Sequence, residues 1–112
     1  MRSKYNAKKV VSDGITFDSM KEANRYHELK LMERAGLIKD LELQPEYELI
    51  CAYTRQDGKK IQAIRYLADF RYLDMRTSKR IVEDVKGMKT QVYLIKKKLL
   101  LWRYPDINFI ET

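Results

Sequence analysis

The chain has 112 residues, 45% of them apolar and 35% charged, with only 4 Gly and 2 Pro, which suits one domain with its own core and excludes a disordered or fibrous chain. Its 23 Lys and Arg against 16 Asp and Glu leave a net charge of +7, a surplus that favours a polyanionic partner, nucleic acid before anionic membrane. One cysteine, Cys51, and one histidine, His27, exclude a disulfide framework and a structural zinc site, while the scattered glycines exclude a phosphate-binding loop.

Residues 1–9 carry Arg2, Lys4, Lys8 and Lys9 and no acid, so they read as a basic arm before a single domain over residues 10–112. Val10-Val11 and Ile15-Thr16-Phe17 flank Ser12-Asp13-Gly14, the pattern of a short hairpin. Ser19 stands three residues before Glu22 and Gly36 follows a run of helix formers, which predicts a helix from Met20 to Ala35. Alternation from Leu41 to Cys51 predicts a strand, interrupted or at an edge where Pro45 removes a donor. A second strand is expected over Ile61 to Leu73 and a third over Arg80 to Lys86. Thr90 then caps a second helix, in which Val92, Ile95, Leu99 and Trp102 recur at spacings of 3, 4 and 3 and are expected to face the sheet. Pro105 ends it, and Ile107 to Ile110 reads as a final strand. The order is helix, three strands, helix, strand: an α/β arrangement or α+β sandwich with helices packed on one sheet. The only aliphatic-aromatic run of note, Leu99 to Trp102, is far too short to span a bilayer, so a cytoplasmic protein without membrane contact is expected.

The chemistry concentrates on the hairpin of the second and third strands. A four-residue loop over Met75 to Ser78 sets Asp74 opposite Lys79 and carries Asp69 opposite Asp84 on the same face. Facing carboxylates destabilise a strand pair unless a cation lies between them, and magnesium, held by one or two carboxylates plus waters and substrate phosphate, meets that need. Lys86 shares the face of Asp84. Glu22, on a helical stripe with Tyr26 and Leu29, is the third carboxylate in reach. Carboxylates, an ammonium and an electropositive surround are the requirements of metal-assisted phosphodiester hydrolysis.

Ala68-Asp69 followed by Asp84-Val85-Lys86 resembles the bipartite signature of the PD-(D/E)xK nuclease superfamily, with Ala68 in place of the usual proline and Asp84 in place of the commoner glutamate. Glu22 falls where many members carry a glutamate on the first helix. Gln44-Pro45, after a helix ending in Ala35-Gly36-Leu37-Ile38, is similar to the transposase nuclease subunits and Holliday-junction resolvases of that superfamily. The whole chain is most similar to a family of small phage and prophage proteins known as a domain of unknown function. The resemblance implies a restriction-endonuclease-like αβββαβ core over roughly residues 15 to 110 and a magnesium-dependent DNA endonuclease, with manganese as substitute. Asp69 and Asp84 would bind metal, Glu22 would bind it directly or through water, and Lys86 would act near the nucleophile. Structure-selective cutting in phage DNA recombination or processing, in the bacterial host cytoplasm, would suit such a protein. A homodimer would suit a symmetric cut of two strands.

Plainer uses exist for the same residues. Glu22 fits the third position of a capping box with Ser19; Asp69 and Asp84 fit solvated charges paired with Arg71 and Lys86; Tyr26, Tyr66, Phe70 and Tyr72 fit core aromatics. From Lys86 to Tyr104 the chain has Lys89, Lys96, Lys97, Lys98 and Arg103 and no acid. If the apolar stripe of that helix faces the sheet, Lys89, Lys96, Lys97 and Lys98 are left for phosphate-backbone contacts. The alternative functions are a catalytically silent DNA-binding module on the same fold and, after it, an interaction adaptor with a basic face.

Overall fold

A computed structural model describes residues 9–112; of the basic arm, all but Lys9 lies outside the described residues. Two short strands, β1 (Val10–Ser12) and β2 (Ile15–Phe17), form the expected hairpin about Asp13-Gly14. Helix α1 (Met20–Arg34) starts on Ser19, whose hydroxyl accepts the Glu22 amide, and stops where Gly36 takes a φ of +78°. That left-handed conformation costs glycine little and closes the last turn.

The long strand expected after α1 is two, β3 (Ile38–Leu43) and β4 (Glu46–Ile50). Gln44, with φ +52°, and Pro45 separate them, so the chain leaves one sheet and enters another at the residue that lacks a donor. The strand expected over 61–73 is likewise divided, into β6 (Lys60–Ile61), β7 (Ile64–Leu67) and β8 (Phe70–Asp74). With β5 (Tyr53–Thr54), the segments β4 to β7 make a hairpin arm in which β4 pairs with β7 and β5 with β6. The third predicted strand is β9 (Lys79–Asp84), followed by α2 (Gln91–Arg103) on a Thr90 cap and by β10 (Asn108–Glu111).

The main sheet runs β10-β9-β8-β3, with β9 and β10 parallel and the other pairs antiparallel. The molecule is therefore an α+β fold. Helix α1 packs on one face, burying Ala23, Tyr26 and Leu29 against Phe17, Ile38, Phe70, Tyr72 and Val85. Helix α2 and the base of the arm cover the other, where Tyr93 and Leu100 meet Leu49, Tyr66, Ala68 and Val82. The aromatics Tyr26, Tyr66, Phe70 and Tyr72 all lie in these cores.

The orientation of α2 corrects the sequence expectation. Val92, Ile95 and Trp102 do not face the sheet: they are 63%, 57% and 77% exposed, and Leu99 is only half-buried. Tyr93 and Leu100 take the inner face instead. The helix is apolar on both sides, so period alone did not decide which side turns inward. Tyr93 decides it, because its hydroxyl donates to Glu111 on β10.

Candidate functional site

The β8–β9 register places the candidate carboxylates. Phe70 pairs with Glu83 and Asp74 with Lys79 across the Met75–Ser78 turn, as the loop length predicts, but the ladder ends at Phe70: Asp69 lies one residue outside β8, so the expected facing pair of Asp69 and Asp84 is not part of it. The Asp69 amide donates to the Glu83 carbonyl at 3.1 Å, and its Oδ2 accepts from the Val85 amide at 2.7 Å. Asp69 is thereby fixed by backbone at the point where the two strands part.

Asp84 has no solvent exposure. Its Oδ2 accepts from the Tyr66 hydroxyl and lies 3.7 Å from the Lys86 ammonium. Its Oδ1 is buried with no hydrogen-bond partner, an arrangement that costs free energy unless a further donor or cation completes it. Burial pushes the Asp84 carboxyl up to about 6, against the opposing pull of Lys86. Asp69 is raised for the same reason, burial outweighing the Val85 amide and Lys86. Arg71 is not the partner of either. It donates to Glu42 and to the Tyr47 hydroxyl.

Glu22 reaches this region from α1. It is buried, and desolvation followed by the charges of Asp69 and Asp18 lifts its carboxyl to about 7. Asp18, Lys21, Glu22, Asp69 and Lys86 line one cleft of about 470 Å³ between the N-terminus of α1 and the segment that follows β9. The Lys86 ammonium stands 4.4 Å above the Tyr93 ring, which fixes a lysine that would otherwise sweep freely through solvent. The cleft lies at the C-terminal end of the parallel pair β9 and β10, where open α/β sheets place their ligands.

Sequence reasoning missed four contributors. Glu111, paired with Asp84 across β9 and β10, accepts from the Tyr93 hydroxyl and from Lys97 at 2.9 Å and lies 3.5 Å from Lys89. These donors hold its carboxyl down at about 2. Tyr66 was legible as a core aromatic, but its bond to Asp84 was not. Asp18 and Lys21 carried no signal beyond their position before Glu22; Lys21 donates to the Lys86 carbonyl at 3.0 Å. Of the proposed phosphate-contacting lysines, Lys98 and Lys89 are exposed, and Lys96 lines a depression with Lys86, Arg65 and Tyr66. Lys97 is not free: it lies 5.7 Å from the Phe109 ring centroid and bonds Glu111.

A family model described as "Protein of unknown function (DUF1064)" matches residues 2–111. The chain belongs to this family. No curated protein matches it. No helix among the described residues is long and apolar enough to cross a membrane.

Among the described residues no group of three or more His, Cys, Asp or Glu side chains is gathered as a metal cage, so Glu22, Asp69 and Asp84 do not form one three-ligand cluster. What remains is Asp84 with one orphaned oxygen, Asp69 held on the backbone either side of it, and a fixed ammonium. That donor set fits a hard cation that keeps most of its waters and takes further oxygens from a phosphate.

Proposed function

We propose that this chain is a magnesium-dependent DNA endonuclease of the restriction-endonuclease-like type, with manganese as substitute. One observation carries the reading: Asp84 is wholly buried with an unpartnered Oδ1 and lies 3.7 Å from the Lys86 ammonium, while Asp69 binds the backbone on either side of it, at the Glu83 carbonyl and the Val85 amide. Asp69 and Asp84 are the residues that would hold the metal, and Glu22 would reach it through water. When bound, the metal would polarise the phosphodiester and acidify a coordinated water.

The chain's own groups supply the rest. Lys86, braced by Tyr93 and Asp84, offers positive charge where the phosphate becomes more negative in the transition state. Glu22, with a carboxyl near neutrality, can hold or release a proton within the cleft. The water adds to phosphorus as one phosphorus–oxygen ester bond breaks, and the departing oxygen takes a proton. Lys89, Lys96 and Lys98 would contact the phosphate backbone, which positions DNA without reading its sequence. The resemblance to junction resolvases extends the proposal to branched DNA as the substrate and to phage DNA processing as its setting.

The test is cleavage of linear, single-stranded, flap and four-way DNA with and without magnesium. The wild type is expected to cut at least one of these, and Asp84→Asn to bind DNA without cutting. Cleavage by Asp84→Asn at the wild-type rate would overturn the proposal. DNA binding with no cleavage by the wild type in magnesium or manganese would leave the silent DNA-binding module as the function.

A further inference from the structure

The end of α2 remote from the candidate cleft opens onto a second cavity, of about 400 Å³, inside the ~300–1,000 Å³ range of small-molecule sites. It lies where the chain turns from α2 through Pro105 into β10, beside the start of β9. Val82, Ile107 and Pro105 give it apolar walls, and Tyr47 and Tyr104 close one side with their rings 5.3 Å apart, edge to face. Both tyrosines are held in place. The Tyr104 hydroxyl donates to the Glu48 carbonyl at 2.8 Å, and the Tyr47 hydroxyl accepts from Arg71 at 3.0 Å. The aromatic wall is therefore formed in advance, and a ligand does not have to order it.

The cations of the cavity are unspent. Arg80 and Arg103 line it and are exposed. Arg25, Arg55, Arg65 and Arg71 each pair with a carboxylate, whereas Arg80 and Arg103 pair with none among the described residues. Glu42 feels the charge of Arg80 but is bonded to Arg71. The Arg103 guanidinium stands 5.8 Å from the Tyr104 ring centroid, a pose that leaves its N–H edge for a ligand. Asp106 is the one acid of the lining, and Asn108, whose Nδ2 donates to the Arg80 carbonyl at 3.3 Å, adds an amide oxygen.

We propose that this cavity binds a nucleoside 5′-phosphate, either free or as one unpaired nucleotide of a strand. Arg80 and Arg103 take the phosphate, for which the guanidinium fork is suited. The base lies against the Tyr47–Tyr104 wall, a contact open to any base because each has a flat π-face. Asp106 selects against a bare anion, which it repels. A nucleotide brings sugar hydroxyl and exocyclic amino groups that can donate to Asp106 and to the Asn108 oxygen.

The site is separate from the candidate cleft and does not rest on the hydrolase reading. Arg80, Val82 and Asp84 alternate along β9, and Val82 packs in the core under α2, so all three share that face. Arg80 stands about 13 Å from Asp84 along the strand, at the opposite end of α2 from Lys86.

Isothermal titration in EDTA tests the site in the absence of any metal-dependent cleavage, so its outcome is independent of that activity. Deoxyadenosine 5′-monophosphate is expected to bind once per chain with a Kd below about 1 mM. Deoxyadenosine and inorganic phosphate should each bind at least about tenfold more weakly, since each offers one half of the recognition. Arg80→Gln with Arg103→Gln should weaken the nucleotide at least about tenfold with an unchanged circular-dichroism signal, while Lys86→Ala leaves it within about twofold. A 5′-phosphorylated trinucleotide separates the two sources: tighter binding than the mononucleotide, equally dependent on the two arginines, assigns the cavity to a strand, and equal or weaker binding assigns it to the free nucleotide. Saturable binding of neither overturns the proposal. So does inorganic phosphate binding as tightly as the nucleotide, or phosphotyrosine binding more tightly, which would point to a modified peptide. Loss of nucleotide binding in Lys86→Ala but not in the arginine variant also overturns it, by moving the ligand to the cleft. Should the double variant misfold, Arg80→Lys alone must weaken the nucleotide at least several-fold, and failure to do so is equally decisive against the site.

Discussion

Glu83 and Asp84 are consecutive residues of β9, both with 0% exposure, and they stand on opposite faces of the sheet in opposite electrostatic conditions. On the α1 face, Glu83 accepts from Arg25, from the Tyr72 hydroxyl at 2.7 Å and from the Thr112 hydroxyl at 3.0 Å. On the α2 face, Asp84 keeps one oxygen with no partner at all. A fully satisfied buried carboxylate ties elements together. An unsatisfied one beside a cleft is poised to receive something.

The Glu83 network links α1, β8, β9 and Thr112. Removing one member of a buried charge pair leaves the other uncompensated, which costs about 3–5 kcal/mol. Arg25→Ala should therefore lower the urea midpoint by that equivalent, with little change in the slope of the transition. A loss below 1 kcal/mol would mean that water replaces the guanidinium.

Asp84→Asn removes the charge that burial opposes while preserving shape. Cleavage should disappear, and the melting temperature at pH 7 should stay equal or rise, since the group is already disfavoured as an anion in the fold. A variant that unfolds would show that the carboxylate is needed for structure.

Three carboxyls are raised by folding: Glu22 from 4.5 to about 7, Asp84 from 3.8 to about 6, and Asp69, which burial also pushes up. Between these limits the folded chain binds more protons than the unfolded one, so stability without metal should fall as pH rises from about 4 to 7, by roughly 5 kcal/mol at most. Glu111 acts with the opposite sign. Its carboxyl is lowered from 4.5 to about 2, so its contribution is present above 4.5 and is lost as pH falls toward 2. Melting temperatures across pH should thus pass through a maximum near pH 4–5. Magnesium should lift the neutral side of that curve, and a flat curve from pH 4 to 7 would contradict the burial of Glu22.

The lysines of α2 should divide by their partners. Lys96→Ala and Lys98→Ala should each lower the slope of log affinity against log salt by about 0.9 on duplex DNA, with unchanged stability. Lys97→Ala should instead destabilise the fold by about 1 kcal/mol, because the Glu111 carboxylate loses a charged donor. Binding isotherms at several salt concentrations, together with thermal melts, would separate the two classes.

Local chemistry made much of this legible. Ser19 and Thr90 caps, the Gly36 stop and the Asp13-Gly14 turn depend on side chains within a few residues of the backbone they satisfy. The Met75–Ser78 loop length determined the β8–β9 register as far as Phe70 and Glu83, but Asp69 and Lys86 lie just beyond the strands, where the two-residue period no longer applies. Pro45 announced a break, although not that the chain would leave the sheet there and build an arm.

The sequence by itself thus determined the main helices, the turns and the β8–β9 register, because each follows from spacing along the chain. The tertiary structure alone decided which side of α2 faces inward, since a helix apolar on both sides has two acceptable orientations and only the Tyr93–Glu111 contact and the seat of Leu100 choose between them. It alone also brought Glu111 to Lys97 and Lys89, and Tyr66 to Asp84, because those meetings require β10 to lie parallel to β9 and β7 to turn beneath α2, pairings of residues distant in sequence that no local pattern encodes.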